Sequence, residues 1–176
     1  MAAFLPESVT DARLSHALSC WQRWRGSHAC PARSDVEPAD LDSLLPNLFM
    51  ADLLADGRIR YTLAGRTVRD QLGFELTGLH ADELFAGGDL DRINRIYGEL
   101  RGGNGHVSVQ RWLRQGEPVM RFRSLLLPLA TDRRRPDSML GFALYERLDG
   151  RPHEPIDHIR NPVTIEIEQD TRLQFV

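Results

Sequence analysis

The segment NLFMADLLADGRIRYTL, residues 47–63, indicates more about the fold of this chain than any other. Asp56-Gly57 separates two arms, 47–54 and 58–63, that have alternating apolar residues. A two-residue Asp-Gly connection between such arms is typical of a β-hairpin, because both residues of its tight turn adopt positive φ. The segment therefore predicts two antiparallel strands joined by a tight turn.

Short helices lie on both sides of the predicted hairpin in the chain, and three further strands follow it. The longest of these helices has apolar residues on one face, and its acidic start and Arg101 at its end complement the helix dipole. The predicted helices are 38–45, 67–72, 81–85 and 89–100, and the further strands are 106–114, 119–129 and 139–147. We expect an α+β domain with one antiparallel sheet.

An amphipathic helix precedes the hairpin. Ser8 or Thr10 can cap a helix that runs to about Arg25, with apolar residues at spacings of three and four. Residues 125–127 are all leucine, which indicates a strand that is covered on both faces. The apolar stripe of this helix is the candidate cover for the outer face, from this chain or from a second copy. Because aromatic side chains often anchor interfaces, we expect a homodimer through Leu14, Leu18, Trp21 and Trp24.

Several short motifs accompany this order of a strand pair, helices and a strand triplet. They are Trp21 and the segments PARSDV (31–36), LLP (44–46), RYTLAG (60–65), ELTG (75–78) and LLPL (126–129). With them the chain resembles the PAS sensor domain over residues 14–147, and is similar to a bacterial family of small single-domain PAS proteins. The resemblance implies a five-stranded antiparallel sheet in the order 2-1-5-4-3, with short helices on one face and the N-terminal helix on the other. It also implies a role in sensing or docking.

The chain divides into three parts. They are an N-terminal amphipathic helix (1–26), a PAS-like core (27–149) and an extended C-terminal tail (150–176). From residue 150 the composition shifts to proline, histidine and charged residues, and the alternation over 163–168 is typical of a strand. We expect this tail to lie outside the sensor core and to pair along a sheet edge or with a neighbouring molecule.

Charge and composition argue against several classes of protein. The 22 basic and 25 acidic residues nearly balance, which argues against a nucleic-acid-binding protein. All of the basic residues are arginine, so the chain lacks a Schiff-base or phosphate-loop lysine. It shows no leader peptide and no apolar run near the ~20 residues of a membrane helix. Since Cys20 and Cys30 do not make a disulfide framework, we expect a cytoplasmic protein without membrane insertion.

The sequence lacks the familiar catalytic, metal and cofactor motifs. No Gly-x-Ser-x-Gly, His-Glu-x-x-His or Cys-x-x-Cys occurs, and no two histidines have the spacing of four that would share a metal on a helix. Flavin photosensors that resemble this fold carry a reactive cysteine on a short helix, and haem-binding relatives carry an axial histidine on the long helix. Both residues are absent at these places, and His80 and His106 are the nearest substitutes for the haem ligand. We therefore predict no cofactor and no metal.

An apolar interior between the sheet and the helices is the candidate ligand site. Helix faces and strand alternation place nine residues in it or at its mouth. They are Tyr61, Arg66, Val68, Leu72, Phe85, Ile93, Tyr97, Met120 and Phe122. The buried tyrosine hydroxyls need partners, which a ligand or water would supply, and Arg66 would bind a carboxylate or phosphate through two hydrogen bonds. The alternatives are a packed core without a cavity and an Arg66 that is simply on the surface.

Together these features favour a non-catalytic PAS-type sensory or protein-interaction module in bacterial signalling, with a small ligand in its core. Since the sequence contains no kinase, cyclase or DNA-binding segment, we expect its output to pass through an unidentified signalling protein. One alternative is a small α+β cone-fold enzyme that acts on a hydrophobic substrate through a buried Asp–His or Tyr–Asp pair. The other is an adaptor with a filled core that docks through its tail. The position of the hairpin before the central helices favours the PAS arrangement.

Overall fold

The computed structural model describes residues 5–6 and 11–175, so the predicted caps Ser8 and Thr10 lie outside the described residues. The first helix is capped by Asp11, whose side chain accepts a hydrogen bond from the Arg13 backbone N–H at 2.9 Å. The helices are α1 (Ala12–Arg25), α2 (Arg66–Leu72), α3 (Ala81–Leu84) and α4 (Gly87–Arg101), with 3₁₀ helices at Arg33–Asp35 and Pro38–Asn47. The strands are β1 (Leu48–Leu53), β2 (Ile59–Ala64), β3 (Gly105–Arg114), β4 (Glu117–Leu129), β5 (Ser138–Arg147) and β6 (Thr164–Leu173).

The strands form one antiparallel sheet in the order β2-β1-β5-β4-β3-β6. Its first five strands have the predicted order 2-1-5-4-3, and the α+β fold class is confirmed. The sheet has six strands rather than the predicted five, because residues from the expected tail pair with β3. This added strand covers an edge of β3 that would otherwise expose unpaired backbone groups.

The predicted hairpin is present, but the prediction of its turn is wrong. β1 and β2 pair from Leu53 and Ile59 outward, and residues 54–58 connect them. Gly57 has a φ of 90°, whereas Asp56 does not have the positive φ that a tight two-residue turn needs. The Asp56 carboxylate instead accepts a hydrogen bond from the Arg58 backbone N–H at 2.9 Å, and this bond stabilises a wider loop.

Helix α1 and the 3₁₀ helix Pro38–Asn47 cover one face of the sheet, which we call the outer face. Leu14, Leu18 and Trp21 are buried there in a core that includes Leu125 and Leu127 of β4. The Trp21 indole N–H donates a hydrogen bond to the Pro128 carbonyl oxygen at 2.8 Å. The cover of this face therefore comes from the chain itself.

This burial corrects the predicted dimer interface. Leu14, Leu18 and Trp21 are at most 3% exposed, and a side chain without exposed area cannot contact a second copy. Trp24 keeps partial exposure, and its indole N–H donates to the Asp40 carboxylate at 2.9 Å. Dimerisation itself stays a prediction, and it would need a surface other than this stripe.

Helices α2, α3 and α4 pack on the opposite, inner face of the sheet. The apolar residues Ile96, Tyr97 and Leu100 of α4 are buried in this second core, as expected for an amphipathic helix. Leu126 belongs to the inner core while its two neighbours belong to the outer one, so the leucine triplet is covered on both faces as predicted. In the described part of the chain, no helix is both long enough and apolar enough to span a membrane.

Residues 151–163 pass over the helices of the inner face on their way to β6, and we call this segment the strap. The Ile156 and Asp157 backbone N–H groups donate to the carbonyl oxygens of Gln71 and Leu72 of α2, at 2.7 and 2.9 Å. The Ile156 side chain is fully buried in the inner core. The strap is therefore fixed to α2, and the C-terminal segment is packed onto the rest of the chain.

Candidate ligand cavity

A cavity of about 110 Å³, partly open to the surface, lies between the inner face of the sheet and helices α2–α4. Its apolar and aromatic wall residues are Phe49, Tyr61, Val68, Leu72, Leu76, Leu84, Phe85, Ile93, Ile96, Tyr97, Trp112, Phe122, Leu126, Ala143, Tyr145 and Ile165. Its polar wall residues are Asp89, Arg92, His106, Ser108, Gln110, Ser124 and His158. An engineered apolar cavity of ~150 Å³ holds benzene, so this cavity matches a molecule of about one six-membered ring.

Of the nine predicted pocket residues, seven lie in this wall and two do not. The seven are Tyr61, Val68, Leu72, Phe85, Ile93, Tyr97 and Phe122. Met120 is fully buried, but in the packed part of the inner core. Arg66 is exposed at the start of α2, because the helix turns Val68 toward the sheet and a residue two positions earlier away from it. The arginine of the wall is Arg92, and ligand binding by the seven residues stays a prediction.

The two wall tyrosines are hydrogen-bonded to each other. The hydroxyl oxygens of Tyr61 and Tyr97 are 3.3 Å apart, and either one can donate. Burial raises the pKa of Tyr61 and that of Tyr97, so both hydroxyls stay protonated near neutral pH. Because one bond uses one hydrogen, the second hydroxyl hydrogen is left for a ligand or a water molecule.

A chain of buried polar side chains forms the floor of the cavity. On β3, Gln110 Nε2 donates to Ser108 Oγ at 3.2 Å, and Trp112 Nε1 donates to Gln110 Oε1 at 3.0 Å. Ser108 Oγ also lies 2.9 Å from Ser124 Oγ of β4. None of these polar residues was predicted from the sequence. The alternation of side chains along β3 could have indicated them, because it places Ser108 and Gln110 on the same strand face as Trp112.

Charged residues close the end of the cavity between α4 and β6. Both ring nitrogens of His106 face carboxylates, with Nδ1 3.0 Å from Glu99 Oε2 and Nε2 2.7 Å from Asp170 Oδ1. Arg92 and Arg95 of α4 donate to the same Asp170 carboxylate at 2.5 to 3.1 Å. Asp170 therefore joins the C-terminal strand to both α4 and β3.

The surroundings of Asp170 favour its ionised form. Burial alone would raise the pKa of this carboxyl. The hydrogen bonds from His106, Arg92 and Arg95, together with the positive charge of Arg92, outweigh burial and hold the pKa of Asp170 well below its usual range. The carboxylate is ionised at neutral pH, so the network contributes to stability there.

The strap brings a histidine into the cavity wall. The ring centroid of His158 lies 5.5 to 5.6 Å from those of Phe74, Phe85 and Trp112, each on a different element or loop. Both ring nitrogens are buried, and neither makes a hydrogen bond to a described residue. An unpaired buried polar group costs about 1–3 kcal/mol, so this ring lacks a partner that would stabilise it.

Burial also favours the neutral form of His158. It lowers the pKa of His158, while Asp157, the Leu84 backbone and Asp89 oppose it with smaller effects. The Leu84 backbone acts on the charge of the ring without reaching the geometry of a hydrogen bond. The ring is therefore neutral near pH 7, with one nitrogen as a donor and the other as an acceptor.

Most of the chain matches a known family. A family model described as a PAS domain matches residues 9–144, which is more than half of the chain. The chain belongs to the PAS domain family. A solved structure that it resembles is the crystal structure of the Rhodobacter sphaeroides LOV protein, with 17% identity, a TM-score of 0.44, and coverage of 67% of this chain and 73% of that chain. None of the curated proteins matches.

Part of the cavity of this PAS domain lies beyond the residues that match the family. Tyr145, His158 and Ile165 belong to the wall, and all three follow residue 144. Asp170, whose carboxylate binds His106 at the charged end of the cavity, also follows residue 144. The C-terminal segment therefore adds features to this PAS domain that the family match does not contain.

The other side chains considered for catalysis or cofactor binding already have protein partners in this PAS domain. His80 lies 3.1 Å from the Glu83 carboxylate, and Asp82 forms an exposed ion pair with Arg58 at 3.1 Å. Both ring nitrogens of His106 bind carboxylates, so neither is free to ligate a haem iron. Across residues 5–6 and 11–175, no group of histidine, cysteine and acidic side chains is arranged to hold a metal ion.

Proposed function

We propose that this chain is a non-catalytic PAS-type sensory module in bacterial signalling, which binds a small and mostly apolar molecule in its inner cavity. The observation that supports this proposal is the cavity itself, because about 110 Å³ stays unfilled inside an otherwise packed core. Protein interiors are close-packed with few voids larger than a water molecule, and an empty cavity lowers stability. A ligand that fills the space would restore the missing contacts.

The size of the cavity limits the ligand. A volume of about 110 Å³ suits a single six-membered ring with a small substituent. Haem and flavin each contain several fused or linked rings and would require wall side chains to move away. A ring-sized ligand would contact Tyr97 and Phe122 and place its polar group near the floor residue Gln110 or near His158.

The buried His106–Asp170 pair supports binding rather than catalysis. An enzyme on an α+β fold would use such a pair as a general base, which requires a ring nitrogen with a free lone pair near the substrate. In this chain the second nitrogen of His106 faces Glu99 at 3.0 Å. A carboxylate of the protein therefore lies against each ring nitrogen of His106, and a substrate cannot reach either one.

The elements that enclose the ligand would carry the signal to a partner protein. The strap contributes His158 to the wall and β6 contributes Ile165, so a bound ligand favours one packing of the C-terminal segment over another. A partner that binds one packing better would read this difference. The hypothesis of a tail that docks as a free peptide is less compatible with the structure, since β6 already pairs with β3 from Gly105 to Leu113.

Native mass spectrometry of freshly purified protein, followed by organic extraction, tests this proposal. We expect a bound molecule in the mass range of a single substituted ring. Ala143→Leu adds volume at a buried wall position and should remove the bound molecule while the protein stays folded. Ala55→Leu, at an exposed position of the hairpin loop, is the matched control and should retain it.

A second measurement covers ligands that are lost during purification. Ligand-observed NMR with a panel of single-ring fragments should show binding to the wild type and to Ala55→Leu, and not to Ala143→Leu. If the wild-type protein carries no molecule and no fragment binds at millimolar concentration, the cavity is not a ligand site and the proposal is wrong.

A further inference from the structure

We infer that the ligand is an uncharged single-ring aromatic molecule with a hydroxyl group, and that His158 of the strap recognises this hydroxyl. This inference rests on the proposed function, because it names the ligand class of the same cavity. The observation behind it is a ring with two buried, unpaired nitrogens in the wall of an aromatic cavity.

The aromatic surroundings of His158 favour a flat ring as the ligand. Phe85 stacks against His158 with 22° between the ring planes, and Trp112 meets it edge-on at 69°. Phe122 lies 5.4 Å from Trp112 and continues the aromatic wall. Aromatic rings at such distances pack in offset or edge-to-face geometry, and another aromatic ring continues this arrangement better than a flexible aliphatic chain.

The unpaired nitrogens of His158 favour a hydroxyl group on that ring. The neutral imidazole presents one donor and one acceptor, and their tautomeric assignment can exchange. A hydroxyl can both donate and accept, so it can pair with either nitrogen. Pairing would remove the penalty for one of the two nitrogens, while a purely apolar ligand would leave both unpaired.

The charges of the wall favour an uncharged ligand. Arg92 is already bound through two nitrogens to the Asp170 carboxylate, so its charge is neutralised within the protein. Asp89 also belongs to the wall and would repel a carboxylate ligand. An anionic ligand would therefore lose its hydration without gaining an unpaired counter-charge, so the wall favours an uncharged ligand over an anionic one.

Calorimetric titration with phenol and toluene tests the inference, because the two molecules have nearly the same shape and differ by a hydroxyl and a methyl group. The quantity to compare is the Kd for toluene divided by the Kd for phenol. We expect this ratio to fall about tenfold in His158→Phe, which keeps a ring at this position and removes both nitrogens. His153→Phe, at an exposed position of the same strap, is the control and should leave the ratio unchanged.

The possible outcomes separate the inference from the proposed function. Toluene binding that persists in His158→Phe shows that the variant is folded, and an unchanged ratio in that variant would overturn the role of His158. Tighter binding of benzoate than of phenol to the wild type would overturn the uncharged ligand class. If the wild type binds none of the three molecules nor any other single-ring fragment, the proposed function fails together with the inference.

Discussion

At the scale of single residues, Gly141 sets the position of one aromatic ring of the cavity wall. It lies on β5 directly opposite Phe49 of β1. A Cβ atom at this position would overlap sterically with three carbon atoms of the Phe49 ring. Glycine therefore allows the ring to lie across the neighbouring strand, as glycines inside strands do where another group approaches closely.

We expect Gly141→Ala to lower the free energy of unfolding by about 2 kcal/mol, because the added methyl group displaces the Phe49 ring in a packed core. Gly98→Ala is a matched glycine replacement in the interior of α4, where an added Cβ lies within 4 Å of no described residue beyond its chain neighbours and the backbone of its own helix. That replacement should raise stability by about 0.5–1 kcal/mol, since alanine favours the helix. Urea unfolding followed by tryptophan fluorescence measures both, and equal effects of the two replacements would contradict the close approach at Gly141.

At the scale of elements, one carboxylate holds β6 to α4. Asp170→Asn removes the charge that His106 and two arginines share, and we expect a loss of about 2 kcal/mol at pH 7. The pKa of Asp170 is lowered in the folded protein, so its contribution is complete above the unfolded-state value near ~4 and is lost as the pH falls below it. The difference in urea midpoint between the wild type and Asp170→Asn should therefore be constant from pH 7 to 5 and shrink below pH 4.

An exposed carboxylate provides the control for this element. Asp82 pairs with Arg58, and both side chains are nearly half exposed. Asp82→Asn should leave the free energy of unfolding almost unchanged, because exposed ion pairs contribute little to stability. Hydrogen exchange should increase in β6 of Asp170→Asn and not in that of Asp82→Asn. Unchanged exchange of β6 in Asp170→Asn would show that strand pairing with β3 alone holds the element.

The elements differ in how far the sequence predicts them. The hairpin arms, the helices of the inner face and strands β3 to β5 follow from local periodicity, and the resemblance to PAS domains supplied the strand order. The alternation in 163–168 indicated a strand, but not which edge it joins. Asp170 and His106 are 64 residues apart in the chain, and local pattern cannot bring such residues together.

The cavity was predictable only in part, for the same reason. Tyr61, Val68 and Ile93 lie in the wall because strand alternation and helix faces place them there. His158 comes from an irregular strap without periodicity, so the sequence gives no signal for its position. The turn at Asp56 differs from the prediction because a hydrogen bond from the Arg58 backbone to the Asp56 side chain stabilises a wider loop. Whether this loop or the tight turn is more stable depends on the geometry of that bond, which the local sequence pattern does not give.

At the scale of the whole molecule, both faces of the sheet are covered by the chain itself. Helix α1 covers the outer face, and helices α2–α4 with the strap cover the inner face. A second copy could therefore contact a helix surface or the outer edge of β6, but not the buried stripe of α1. Trp21 belongs to this stripe and is fully buried, so its replacement tests folding rather than association.

We expect Trp21→Glu to unfold the protein, because it places a carboxylate in an apolar core and removes the hydrogen bond to the Pro128 carbonyl. Trp21→Phe is the control, since it keeps an aromatic ring, loses the hydrogen bond and part of the ring volume, and should stay folded with lower stability. Near-UV circular dichroism reports folding, and light scattering reports the mass of each variant. A folded Trp21→Glu protein with half the mass of the wild type would restore the α1 stripe as a dimer interface and contradict its burial within one chain.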